Sequence, residues 1–262
     1  MNIELVEAIK AEGPIALECW RERNPGSIPD LSGAYLPELD LSWIDLSYAC
    51  LVGADLSRSK LSYANLVGAN LSGAVLCGSL LYRANLAGAT CFEARFSGAQ
   101  FEDANLILAD LRKVNFVGAI LKQANLSGAD LRLANLWGAK LEGATLNFAN
   151  LSGTTLIEAD LSNAVLLFAD LRIAILFKAT LQNASLQGVN LSFSNCEEAN
   201  FYRADLSGAN LWRAKLVRAY LVETNLCGTN LREADLSNAN LYKAILSQSD
   251  TSGANFQGAH LK

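Results

Sequence analysis

The chain has 262 residues, 51% of them hydrophobic, and 21 basic against 26 acidic side chains give a formal net charge of −5. That content supports a sizeable core and excludes wholesale disorder, while the mild acidic balance excludes nucleic-acid binding through a basic surface. It also falls short of the strongly one-signed face that imitation of DNA requires.

No stretch approaches the roughly 18 consecutive apolar residues of a membrane span. The opening MNIELVEAIKAEG lacks a basic start followed by an apolar block, so it does not read as a secretory signal. Cys19, Cys50, Cys77, Cys91, Cys196 and Cys227 show no C-x-x-C spacing. They fit reduced thiols better than a disulfide framework or a zinc site, and the chain reads as cytoplasmic.

In chain order, Ile3, Leu5, Val6 and Ile9 predict a short amphipathic helix, and Gly13-Pro14 can start a second one running through Cys19-Trp20. From Leu31 onward the pattern changes. Every fifth position to Leu261 is Leu or Phe except Cys91, Cys196 and Thr251, with no insertion or deletion. The position two earlier is Ala at 35 of 46 places. Of the 19 glycines, all but Gly13 and Gly26 fall two residues after the large apolar residue.

Residues two apart in extended chain share a face, so the Ala and the Leu both point inward. Five is odd, so continuous strand would flip the pattern at each repeat. It never flips, and the chain must therefore turn a corner once per repeat. A corner requiring positive φ selects glycine in one phase. A helix is excluded, because a five-residue period walks around a 3.6-residue turn. The consistent structure is a solenoid.

"ANLSG", "ADLRL" and "ANLWG" resemble the motif of the pentapeptide-repeat family, A-(D/N)-L-x-x, and the resemblance covers residues 31–262. It implies an all-β solenoid, a right-handed quadrilateral parallel β-helix with four pentapeptides per twenty-residue coil. A short helical cap of residues 1–30 would precede a β-helix of about eleven and a half coils, a rod roughly 55 Å long at the ~4.8 Å strand spacing. The stretch "ALECWRERNPGSIPDLSGAYL" resembles a lead-in of cyanobacterial members, though Leu17 stands where those relatives often carry a second Trp.

Sorting positions modulo twenty supports the four-sided coil. The side headed by Leu41 has Gly143 as its single corner glycine, while each other side has five or six. Core volumes agree. Cys91 is followed one repeat later by Phe96, Cys196 by Phe201 and Thr251 by Phe256, a small centre beside a large one. Cys91 and Cys196 therefore read as core filler. Over the last repeats Ser249, Asp250 and Thr251 add polarity, and that end either suffices as it is or pairs with another chain.

No nucleophile elbow, phosphate-binding loop or metal-ligand cluster occurs, and His260 is the only histidine. No catalytic, cofactor or metal residue is assigned, and an enzyme is not expected. The Asp and Asn columns read as the motif's outer slot, where short polar side chains bond backbone near turns. Asp110 with Arg112, Asp130 with Arg132 and Asp170 with Arg172 should form ion pairs on the side headed by Leu31.

Departures toward apolar residues carry the functional signal. On the side headed by Leu36, the slot after the central residue reads Val117, Trp137, Ile157, Phe177, Glu197, Val217 in successive coils. The adjoining corner adds Leu133, Ile173 and Phe193, with Ile175 and Trp212 close by. This predicts one apolar strip, a candidate contact surface. Ile107, Leu108, Phe148, Val165, Leu167 and Phe168 form a lesser cluster on the opposite side.

The resulting expectation is a non-catalytic interaction rod with a protein partner, a second copy included through the strip or the C-terminal coil. No membrane or direct nucleic-acid contact is expected. The alternative, which the resemblance brings with it, is a DNA-mimicking protein that binds and protects gyrase.

Overall fold

The computed structural model describes residues 1–261. Its architecture follows from where each repeat sends its backbone N–H groups. In the first repeat, Leu31 N–H donates to the Cys50 carbonyl (2.8 Å) and Gly33 N–H to Val52 (2.8 Å). Cys50 N–H reaches back to Pro29 (2.9 Å), and Ala34 N–H closes the corner on the Leu31 carbonyl (3.0 Å). The fifth N–H, that of Ser32, finds Asp30 Oδ1 at 3.0 Å. The outer Asp or Asn is thus the acceptor for the one donor per repeat that the stack leaves over, which gives the motif's second position a physical cause.

This scheme recurs along the rod. Parallel bridges join each outer-slot residue to the one twenty positions on, from Asp30–Cys50 to Asn240–His260, with four bridges per coil. The ladder consists of isolated bridges. A corner every five residues leaves one ladder residue per side, so no longer strand forms among the described residues.

Every corner position from Gly33 to Gly258 has φ between +52° and +71°. The seventeen in-phase glycines mark the requirement correctly, yet 29 corners hold other residues in the same conformation. Among them Ile173 (φ +53°) is β-branched, the residue shape least suited to the left-handed region. Corner side chains lean onto the following coil. The Phe168 ring lies where a Cβ on Gly188 would stand 2.5 Å away, and Leu133 similarly crowds Gly153 at 2.9 Å. A glycine after a bulky corner is thus a matter of space as well as of φ.

Leu, Phe and Ala fill the interior at essentially zero exposure, and the helical segment joins the same core. Helix α1 spans Ile3–Glu12 and α2 spans Pro14–Arg23, with Asn2 capping the first and Gly13 (φ +67°) joining them. Leu5, Val6, Ile9, Ala16 and Leu17 are buried against the first coils. Ile3, expected on the apolar face, is instead 64% exposed at the first residue of α1. The Arg21 guanidinium ties α2 to the coils through the Asp45 and Ser47 carbonyls at 3.1 and 2.7 Å.

Two core substitutions behave as volume compensation requires and one does not. Cys91 beside Phe96 and Cys196 beside Phe201 are fully buried. Burial pushes both thiols well up, Cys196 to about 12, so neither carries a thiolate at neutral pH. Thr251 is exposed and Phe256 only half-buried, because no coil of the described residues is stacked on that side of them.

Candidate interaction surface

The ladder register places the apolar departures. The carbonyls of Val117, Trp137, Ile157, Phe177, Glu197 and Val217 accept, at 2.9 to 3.1 Å, the corner N–H of the preceding coil. They therefore form one column. Trp137 is 51% exposed and its own N–H is held by Asn135 Oδ1 (3.1 Å), so the indole takes the Ser slot at no cost in backbone pairing. Leu133, Ile173 and Phe193 form a second column at the other edge of the same side, interrupted by Gly153.

The sequence reading treats these as one strip, and the structure divides it. Between the two columns run Asn115, Asn135 and Thr155, and only Ile175 (38% exposed) continues the apolar surface across. Toward the C-terminal coils cations cover the aromatics. Lys178 Nζ sits 5.1 Å from the Phe177 ring, and the Arg213 guanidinium 5.0 Å from Trp212 and 5.9 Å from Phe193. Trp212 packs edge-on against Phe193 at 4.7 Å. Glu197 breaks the first column and is held by Arg218 (2.6 Å) beside half-buried Val217.

The opposite cluster also shares one side. Phe148 and Phe168 stack at 5.7 Å, and Leu108 (70% exposed) leans over Gly128 on the same corner column. Ile107, Val165 and Leu167 are half-buried beside it. Asn147 Oδ1 takes the Leu167 N–H at 2.9 Å, which leaves this cluster interleaved with polar groups.

The three Asp–Arg pairs form as expected, at 2.7, 2.6 and 2.7 Å. Each is a fork in which Nε and Nη2 of the Arg grip both carboxylate oxygens. The Arg112 side-chain hydrogen bond holds the Asp110 carboxyl below its ordinary range.

Two features escaped the sequence reading. Phe92 lies beside the second strip column, under Arg112 and Lys113 at 5.5 and 5.1 Å. Trp43 and Tyr63 stack at 4.1 Å with Tyr82 edge-on to Tyr63. Only the second was accessible from the twenty-residue columns, Trp43 and Tyr63 being aromatics in successive coils on the glycine-poor side. No group of metal-binding side chains occurs among the described residues, and no helix there is long and apolar enough to cross a membrane.

The solenoid and its repeating outer slot define a class of proteins, and sequence comparison agrees. The family model "Pentapeptide repeats (8 copies)" matches ten stretches from residues 30–62 to 219–258, which together leave only residues 91–93 of that span uncovered. The chain belongs to the pentapeptide-repeat family. Among solved structures it is similar to HetL, a pentapeptide repeat protein involved in heterocyst differentiation regulation in the cyanobacterium Nostoc sp. strain PCC 7120. Identity is 31% over 92% of this chain and 94% of that one, with a TM-score of 0.34. A trypsin-treated form of QnrB1, a plasmid-mediated fluoroquinolone resistance protein, matches at 18% identity over 90% of both chains, TM-score 0.32. A pentapeptide repeat protein of the Arabidopsis thaliana thylakoid lumen matches at 26% over 46% of this chain and 70% of that one, TM-score 0.19. No curated protein matches.

Proposed function

We propose that the protein is a non-catalytic interaction rod that presents the side headed by Leu36 to a protein partner. Residues 1–30 act as a cap on a right-handed quadrilateral β-helix of residues 31–262, the winding the family implies. The observation that carries the reading is the placement of Trp137, Leu133 and Ile173 together on one side, each more than half exposed. Exposed apolar groups in register over several coils have no role in the fold, whose interior is already filled. The reading sets the protein in the cytoplasm, where its six free cysteines stay reduced.

The gyrase-protecting alternative requires a continuous acidic face. Residues 1–60 carry ten acidic and five basic side chains, which accounts for the whole net charge of −5, and residues 61–262 balance at sixteen of each. The coils bearing the candidate strip, residues 111–220, carry eleven basic and eight acidic side chains and so hold no acidic excess.

The test is photo-crosslinking in cells of the source organism, with benzoylphenylalanine replacing Trp137 or, as control, Asn183 on another corner. A protein captured from position 137 and not from 183, and lost on Phe177→Asp, supports the reading. Equal capture from both positions, or none, overturns it. Light scattering on the purified chain separates the occupants. A dimer that Phe177→Asp dissociates assigns the side to a second copy, and a monomer assigns it to a different protein.

A further inference from the structure

The chemistry of the partner can be read from the corner that joins the Leu31 and Leu36 sides, given that this surface is a protein contact. Phe92, Leu133 and Ile173 line a groove of about 350 Å³ that Arg112 and Arg132 overhang. Arg172 continues the row two coils beyond Arg132, with Ser152 on the coil between.

Each of these arginines is paired with an acid, and Arg112 also stands 3.8 Å from Asp130, yet the pairing leaves donors unspent. Each guanidinium spends Nε and one Nη2 hydrogen on the Asp two residues before it, leaving Nη1 without a partner among the described residues. The carboxylates sit behind. Side-chain exposure is 43% for Arg112 against 26% for Asp110, 49% against 29% for Arg132 and Asp130, and 54% against 25% for Arg172 and Asp170. An approaching molecule meets oriented N–H donors in front and apolar side chains below, and a guanidinium already gripped side-on can still take a second carboxylate end-on. A nucleic acid would gain the same donors but would leave the apolar floor unused.

We propose that this groove receives an acidic amphipathic helix of the partner protein. Its apolar side chains lie on Phe92, Leu133 and Ile173, and its carboxylates meet the outer N–H groups of Arg112, Arg132 and Arg172. The repeat distances match. A helix advances about 5.4 Å per turn and successive coils are about 4.8 Å apart, so side chains at i, i+3 or i+4, and i+7 of a helix laid along the rod reach successive coils.

The probe is a pair of synthetic helical peptides with one apolar face in common, one flanked by Glu and the other by Lys. Binding to the full chain is followed by fluorescence anisotropy at about 0.05 M salt, where steering charges are weakly screened. The Glu peptide is expected to bind at least about tenfold more tightly. Arg112→Gln/Arg132→Gln/Arg172→Gln should abolish the preference. Asp110→Asn/Asp130→Asn/Asp170→Asn should keep or enlarge it, which separates loss of the arginine donors from exposure of the acids behind them. Equal or tighter binding of the Lys peptide, binding of neither, or a preference that survives the triple Gln change overturns the proposal. Crosslinking from position 137 does not depend on the partner's charge, so failure here leaves the contact role of the side separately decided.

Discussion

The corner beside the Leu36 side and the side headed by Leu41 share one backbone, and only the first adds ion pairs closed within a single coil to those that run between coils. On the first, Arg112, Arg132 and Arg172 are each gripped by the Asp two residues before them in the same coil, at 2.6 to 2.7 Å, and their remaining donors face outward. Lys113 and Arg213 on the same corner pair with Glu93 and Glu233 one coil away. On the second, partners are twenty residues apart. Lys60 meets Asp40 at 3.2 Å, Arg83 meets Asp103 at 3.2 Å, Arg203 meets Glu223 at 2.7 Å, and Lys122 meets Glu142. Those pairs run along the stack and close the surface, with polar or aromatic corners instead of aliphatic ones. An invariant scaffold thus carries one side that is chemically finished and one that is not. This supports placing the contact on the unfinished side.

Substitutions that ignore this distinction should have the largest effect. Leu136→Asp beneath the Leu36 side and Leu141→Asp beneath the Leu41 side each bury a charge in a fully closed interior. Both are expected to cost about 4 kcal/mol or more in thermal or denaturant unfolding. A clearly smaller loss for either would mean that the interior is not uniform.

The corner comparison is sharper. Ile173 holds φ +53° with a β-branched side chain that is 57% exposed, so little packing offsets the strain. Ile173→Asn should therefore raise stability by about 0.5–1 kcal/mol, Asn being at ease in the left-handed region. The same change at unbranched Gln123 on the Leu41 corner (φ +56°) should alter the melting temperature less. If Ile173→Asn destabilises, the isoleucine is held by packing and its retention requires no contact role.

Acid should act on both sides alike, and mildly. The Arg112 hydrogen bond lowers the pKa of Asp110, and that of Arg203 lowers Glu223. Carboxyls whose folded pKa lies below the unfolded value add stability that is complete above the ordinary carboxylate range and is lost as pH falls through the folded value. Melting temperature should stay level from about pH 8 to 6 and decline below about pH 4. A decline that begins near pH 6 would contradict the sign of these shifts.

Much of this was legible without coordinates, because the repeat admits so few solutions. The in-phase glycines pointed to positive φ, and every corner has it, including the 29 whose residues gave no hint. The Asp–Arg pairs were readable from their spacing of two. What failed is instructive. Hydrophobicity alone places Ile3 inward, and Phe92 gives no signal because the only other aromatic in its column, Trp212, is six coils away with Ser and Arg between.

The sequence by itself determined the solenoid, its five- and twenty-residue periods, the content of the interior and the columns on which the apolar departures fall. A period that never slips leaves the backbone one repeating path, and that path sets which residues stack. Only the tertiary structure decided how those columns present themselves. Corner side chains such as Leu133 and Phe168 lean onto the next coil, Lys178 and Arg213 fold over neighbouring rings, and each Arg selects either the Asp in its own coil or the acid one coil away. Such choices lie between partners at similar reach from one long side chain. They are settled by the space and charge that adjoining coils provide, twenty residues away in the chain.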